Sequence, residues 1–377
     1  MRIFSFTLLL LFASLTDSTL LGATPDRVYF GTYTKVNSEG IYFSDWDTEK
    51  GTLSTPVLAA VLENPSFLEL SADGKFLYAV SEVANFQDGG SVNAFHVRTD
   101  GQLELINRQP TGGGAPCHLS ITANGQALAV ANYSGGNVAS YRILKDGSLS
   151  KAVSLMQHEG SSVNAKRQQE PHAHSINFSL DDRFAYAADL GTDRIYRYEI
   201  DPEQGLLTAS GETVISAGSG PRHLAFHPDG KTAYVINELS LTVKAFSVDS
   251  QSGSLSSLQT VSTLPPNTEK VGSTAEVVCH PSGKFLYGSN RGHDTIVVYR
   301  IDETSGKLAY VENELIQGET PRNFAVSPDG KWLLAAGQNS NTISVFSIDP
   351  ASGELSFSGN QANVDSPVCV RFLNGVK

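Results

Sequence analysis

Cysteine, methionine and tryptophan are scarce in this chain of 377 residues, numbering three, two and two. Cys117, Cys279 and Cys369 are odd in count and give no disulfide framework, so stability has to come from a packed core in which they serve as small hydrophobes. Positive charge is in short supply as well: 27 Lys and Arg stand against 39 Asp and Glu, a net charge of −12. That balance excludes the broad basic footprint nucleic acid requires, though a local arginine cluster can still hold a small anion. Helical periodicity is missing throughout. So are several signatures of chemistry. Gly112-Gly113-Gly114 is followed by neither Lys-Ser/Thr nor a helix and is no phosphate loop. No Gly-x-Ser-x-Gly elbow occurs, which disfavours a serine hydrolase. The Asp/Ser/Gly turns, Asp181-Asp182 among them, lack the twelve-residue spacing of a calcium loop.

Long apolar runs are missing too, except at the start. Arg2 precedes the apolar stretch Ile3 to Leu15, too short for the roughly 20 residues of a membrane span but suited to an export signal. Residues 1–23 are therefore read as a signal peptide, ending near Thr16-Asp17-Ser18 or Leu21-Gly22-Ala23. The absence of a following cysteine argues against a lipid anchor. An exported protein, periplasmic or extracellular and off the membrane once the signal is removed, is expected, with residues 24–377 as its one domain.

What is present is glycine, 34 residues of it, and a repeat. Ser71-Ala72-Asp73-Gly74-Lys75-Phe76-Leu77-Tyr78 recurs around Gly125, Asp182, Gly230, Gly283 and Gly330, at spacings of 51, 57, 48, 53 and 47. A period near 50 marks a repeat architecture. One copy, 220–263, resolves into four strand-like runs: Pro221 to Phe226, Thr232 to Asn237, Leu241 to Val248 and Leu255 to Val261. Pro228-Asp229-Gly230 and Asp249-Ser250-Gln251-Ser252-Gly253 supply hairpin turns between them. Four antiparallel strands per period is the blade of a β-propeller. Six turn copies are complete. A seventh inner strand starts at Ser366-Pro367-Val368, and the chain stops where its second strand is due. The missing strands sit at the other end: Val28 to Tyr33, Ile41 to Phe43 and Gly51 to Leu53. The expected fold is an all-β, seven-bladed propeller whose last blade joins both termini and leaves no free edge.

Aligning the copies on the turn sorts residues by height along the central channel. Eight positions before the marker lie Ser66, Cys117, His174, Arg222, Ala275 and Arg322; eight after it lie Glu82, Tyr133, Leu190, Glu238, Arg291 and Gln338. Both sets belong at one mouth, because the first and second strands form a hairpin. His118, Ser175, His223, Asn323, Asn132, Asp189, Asn237 and Asn290 lie one step away. These positions differ from blade to blade and are mostly polar, which a purely structural repeat does not demand. Arginines, a histidine and a carboxylate together suit anion binding and proton transfer. His172-Ala173-His174 with Glu170 offers two imidazoles, but further metal ligands are not evident, and neither a metal nor an organic cofactor is expected. Cys117 has no evident activating partner beyond His118.

At these residues the chain resembles the seven-bladed propeller lactonase family, which includes propeller-type 6-phosphogluconolactonases and carboxy-cis,cis-muconate cyclases. The resemblance rests on an ordered set: Gly31-Thr32-Tyr33-Thr34, Asn64-Pro65-Ser66-Phe67-Leu68, Pro171-His172-Ala173-His174-Ser175 and Pro221-Arg222-His223. It continues with Asn237-Glu238, Ser289-Asn290-Arg291-Gly292-His293-Asp294 and Pro321-Arg322-Asn323-Phe324, and covers residues 27–373. It implies a site of one His, two Arg and a Glu, carried here by His174, Arg222, Arg291 and Glu238. His172, His223, Arg322, Asn237 and Gln338 are expected to contact the substrate beside them. The implied activity is hydrolysis of a small anionic sugar lactone, or the ring closure of a muconate to a lactone. The rival class is a propeller that binds a glycan or protein on the same mouth. Nothing in such a fold requires oligomerisation, so a monomer acting on a small molecule is the expectation. The family's phosphogluconolactonases look cytosolic, and the export signal sets this chain apart from them.

Overall fold

The computed structural model describes residues 26–86 and 89–373; the apolar start read as a signal peptide lies outside the described residues. Seven antiparallel sheets succeed one another along the chain. Blades 1 to 6 occupy 68–110, 116–157, 173–214, 221–262, 273–315 and 321–363, and each has four strands in sequence order. Blade 7 takes its inner strand from Pro367–Leu373 and its second and third from Arg27–Thr32 and Gly40–Asp47. The outer strand of this blade is not Gly51 to Leu53 alone. It is split, with Thr52–Leu53 pairing at one end of the third strand and Val57–Val61 at the other. The pairing of Arg27–Thr32 with the C-terminal strand closes the ring and hides two sheet edges.

The second strand of each blade is the centre of the hydrophobic core. Ala127–Asn132, Phe184–Asp189 and Thr232–Asn237 are buried at every position, which is why they read as near-continuous apolar runs. The core forms between blades. Phe184, Tyr186 and Ile195 of blade 3 pack against Leu224, Ala233, Val235 and Phe246 of blade 4. The turn between first and second strands needs a left-handed residue, and Asp182 adopts it with φ of 55° where the other copies use glycine. Its carboxylate accepts the backbone N–H groups of Ala123 and Asn124 in the neighbouring blade, at 2.7 and 2.8 Å.

A second repeat of contacts fastens blade to blade. The buried hydroxyls of Tyr29, Tyr78, Tyr186, Tyr234 and Tyr287 donate to the carbonyls of Gly101, Gly147, Gly253, Gly306 and Gly353 in the next blade, at 2.8 to 3.0 Å. Ser140 does the same to Gly205 at 2.6 Å, and the Trp332 indole N–H reaches the Thr48 carbonyl at 2.8 Å. The seven links close the circle. Each acceptor turn ends in a glycine with positive φ (Gly51, Gly101, Gly147, Gly205, Gly253, Gly306 and Gly353), which explains the recurring Asp-x-x-x-Gly outer turn. Tyr234→Phe leaves the Gly306 carbonyl without this partner and is expected to lower stability by about 1 kcal/mol, read by urea denaturation.

Candidate active site

The hairpin register sets where the chemistry falls. Pro221 pairs with Asn237 and His223 with Ile236, so Arg222 is an extra residue, a β-bulge at the start of its inner strand. The same irregularity isolates Cys117, His174 and Arg322 in blades 2, 3 and 6. A bulge re-aims its side chain relative to the alternating strand. Four copies of one device thus present a cysteine, a histidine and two arginines near one end of the channel, and the ends of the second strands add Glu238 and Arg291.

The resulting cleft has a volume of about 360 Å³. Every blade reaches it: Tyr33 from blade 7, Glu82 from blade 1, Cys117 and Tyr133 from blade 2, His174 from blade 3, Glu238 from blade 4, Ser273 and Arg291 from blade 5, and Arg322 from blade 6. Arg167 joins them from the connection between blades 2 and 3. A larger cavity of about 620 Å³ lies among the hairpin turns of blades 1 and 2, but it gathers no comparable set of convergent titratable groups, so chemistry rather than size identifies the site.

Glu238 is the hub. Its Oε1 accepts Arg167 Nη2 at 2.7 Å, and its Oε2 accepts Arg222 Nε at 3.1 Å and Arg291 Nη2 at 3.0 Å. Its side chain is only 4% exposed. Burial opposes the charge, but the guanidiniums of Arg291, Arg222 and Arg167 outweigh it and hold the carboxyl at about 2. Arg222 itself is brought down to about 10 by burial and by repulsion from Arg322 and Arg291, and stays charged at neutral pH.

His174 Nε2 lies 3.9 Å from Glu238 Oε2, while its Nδ1 lies 3.6 Å from Cys117 Sγ. Burial, then Arg222, His223 and Arg322, push this imidazole well below the ordinary histidine range, so it is neutral at physiological pH. The partner of Cys117 is accordingly His174 and not His118, whose ring stacks on Phe67 deeper in the channel. Burial raises the Cys117 thiol far above its usual value, which makes it a poor nucleophile. Tyr33 donates to Glu82 at 2.9 Å and lies under the Arg322 guanidinium, 5.4 Å from ring to cation. Among the described residues Arg322 has no carboxylate within ion-pair distance. Four guanidiniums against two carboxylates leave an excess of two positive charges in and beneath the cleft, despite the negative chain.

The residues expected from sequence fall into three groups. His174, Glu238, Arg291 and Arg322 line the cleft. Arg222, 2% exposed, sits directly beneath it and touches Glu238. His172, His223, Asn237 and Gln338 are not brought into the lining. His172 is stacked behind Tyr133, 4.4 Å between centroids, and its Nδ1 is 3.0 Å from the Tyr133 carbonyl. His223 is buried below Arg222. Asn237 donates to Thr242 Oγ1 at 3.0 Å and fastens its own hairpin. The Gln338 backbone N–H donates to the Thr320 carbonyl at 3.1 Å at the strand end of blade 6.

Arg167 escaped the phase alignment because it belongs to no strand. It sits in the long connection between Gln157 and Ala173. Asp189 anchors both ends of that connection, meeting His158 Nδ1 at 2.7 Å and accepting the His172 backbone N–H at 2.9 Å. The signal was the spacing of 57, the longest of the series, which marks an insertion at this point.

Known proteins share this arrangement of blades. The chain matches the family described as lactonase, 7-bladed β-propeller, over residues 27–372. It is 37% identical over 350 residues to a 6-phosphogluconolactonase of Bacillus subtilis, covering 92% of this chain and 98% of that protein. A 6-phosphogluconolactonase of Formosa agariphila is 36% identical over 306 residues, covering 79% of this chain and 86% of that one. Among solved structures, the periplasmic gluconolactonase of Pseudomonas aeruginosa superposes with a TM-score of 0.87 at 34% identity, covering 93% of this chain and 99% of that chain.

Proposed function

The chain belongs to the seven-bladed β-propeller lactonase family, and from that premise we propose that it hydrolyses a small, negatively charged sugar lactone of the 6-phosphogluconolactone type in the Glu238 cleft. The observation that carries the reading is the pairing of a neutral imidazole with an ionised carboxylate beside an arginine left over for an anion. His174 Nε2 takes a proton from water as the oxygen attacks the lactone carbonyl. Arg291 and Arg322 meet the oxyanion and the substrate's own negative group, a stabilisation that grows toward the transition state. Collapse of the tetrahedral adduct breaks the ring C–O bond. The His174 imidazolium returns its proton to the departing alkoxide, which becomes a hydroxyl, and the new carboxylic acid releases one proton to solvent. Glu238 keeps the guanidiniums in register and its charge favours the imidazolium between the two steps. The test is a panel of lactones offered to the mature chain, to His174→Ala and to Arg291→Ala. An enzyme no faster than buffer on every member, or variants equal to wild type, would overturn the reading.

Arg322 bears on which lactone is preferred. Arg322→Gln removes the cation without a carboxylate partner, so kcat/KM for an anionic lactone is expected to fall roughly 10- to 100-fold, mostly through KM. A neutral lactone of the same ring size is expected to lose only a few-fold. Equal losses on both would remove Arg322 from the anion subsite. The apolar run Ile3 to Leu15 and the likeness to a periplasmic gluconolactonase support an exported location, which cell fractionation tests.

A further inference from the structure

Below the cleft lies a buried carboxylate that the lactone chemistry does not use. Glu276 begins no surface ion pair; it faces the channel interior from the inner strand of blade 5, 6% exposed. Its Oε1 meets His223 Nδ1 at 2.8 Å and accepts the Val277 backbone N–H at 2.9 Å. Its Oε2 accepts Asn323 Nδ2 from blade 6, whose Oδ1 in turn accepts the Val370 N–H of blade 7 at 2.9 Å. On the other side of the imidazole, Arg222 Nη1 approaches His223 Nε2 at 3.1 Å and donates to the Ala275 carbonyl at 2.7 Å.

The donor rules settle the protonation of this chain. A guanidinium only donates, so His223 Nε2 must be the acceptor and Nδ1 must carry the hydrogen, which points at a carboxylate oxygen. Burial and the cations Arg222, Arg322 and Arg371 keep the ring neutral, as this pattern requires. Arg222 is then fixed on three acceptors: Glu238 Oε2, His223 Nε2 and the Ala275 carbonyl.

We propose that Glu276 and His223 form a buried prop that sets the orientation of Arg222 and, through it, of Glu238, so that both are positioning residues for the cleft although neither touches substrate. The kinetic part rests on the lactonase reading; the structural part does not. A guanidinium released from one of three acceptors can rotate, and a displacement near 1 Å in such a site costs on the order of 100-fold in rate.

Two measurements test the prop. The first needs no substrate. With 15N-labelled histidine, the His223 resonances, assigned by their loss in His223→Gln, are expected to report the Nδ1–H tautomer, the minority form of free histidine, across neutral pH. Glu276→Gln, which removes the carboxyl acceptor, is expected to weaken that preference. An Nε2–H tautomer, or an imidazolium, overturns the proposal. The second compares His223→Gln, which keeps an acceptor for Arg222, with His223→Leu, which does not. Expected is a kcat within a few-fold of wild type for Gln and a fall on the order of 100-fold for Leu, with KM little changed in either. If Leu does not fold, the Glu276→Gln variant stands in for it, with a fall in kcat on the order of 10-fold expected and correct fold shown by melting temperature. A kcat insensitive to these changes overturns the positioning role. A wild-type protein that opens no lactone overturns the proposed function instead and leaves the tautomer experiment to decide the prop.

Discussion

His174→Ala should cut kcat on the best lactone by roughly a thousandfold while leaving the fold intact, since a positioned base contributes about 10²- to 10⁴-fold. The ring makes no hydrogen bond the core depends on; its polar contacts are Cys117 Sγ and the approach to Glu238, and it meets the Tyr133 and His223 rings edge-on at 5.2 and 5.5 Å between centroids. The pH profile of the wild type checks the assignment independently. A base held below the ordinary histidine range is already deprotonated at neutral pH, so kcat/KM should be flat from about pH 6.5 upward, with its acid limb lower than an ordinary histidine gives. The limb should vanish in His174→Ala. A residual limb of unchanged position would assign the base to another group, and an activity within a few-fold of wild type would remove His174 from the chemistry.

Glu238→Gln should be the most damaging change to the molecule as a whole. The carboxylate is shared by three arginines, two of them largely buried, and neutralising it leaves those cations facing one another. The folded carboxyl titrates at about 2 against about 4.5 for the free group. A depressed acid stabilises the fold above its unfolded value, here by about 3 kcal/mol, and that contribution fades as pH falls from about 4.5 toward 2. The melting-temperature gap between wild type and Glu238→Gln should therefore be widest above pH 5 and close in acid. A gap independent of pH would mean that the charge of Glu238 is not what stabilises the cleft. Activity should fall at least 100-fold at neutral pH, because Arg291 and Arg222 lose the acceptor that aims them.

The blades and their number were legible in the chain because a hairpin is a local object. The turn Pro228-Asp229-Gly230 and the alternation around Val243, Ala245 and Phe246 need only near neighbours to be read. The outer strand of blade 7 was misread because Thr52–Leu53 and Val57–Val61 share one partner strand, and only pairing shows that they are two parts of one edge. The same limit applied to the site. Counting from the turn brought His174, Glu238, Arg291 and Arg322 to one height, but height is not direction. Asn237 and Gln338 share that height and serve their own hairpins.

By itself, then, the sequence determined a closed ring of seven four-stranded blades and the end of the ring where polar residues gather, since both follow from periodicity and turn chemistry. The tertiary structure decided which of those residues meet. The bulges that turn Cys117, His174, Arg222 and Arg322, the insertion that brings Arg167 to Glu238, and the depth that separates His223 from the cleft all depend on strand register and contacts between distant segments. A carboxylate held at about 2 exists only where three guanidiniums from separate parts of the chain converge on it.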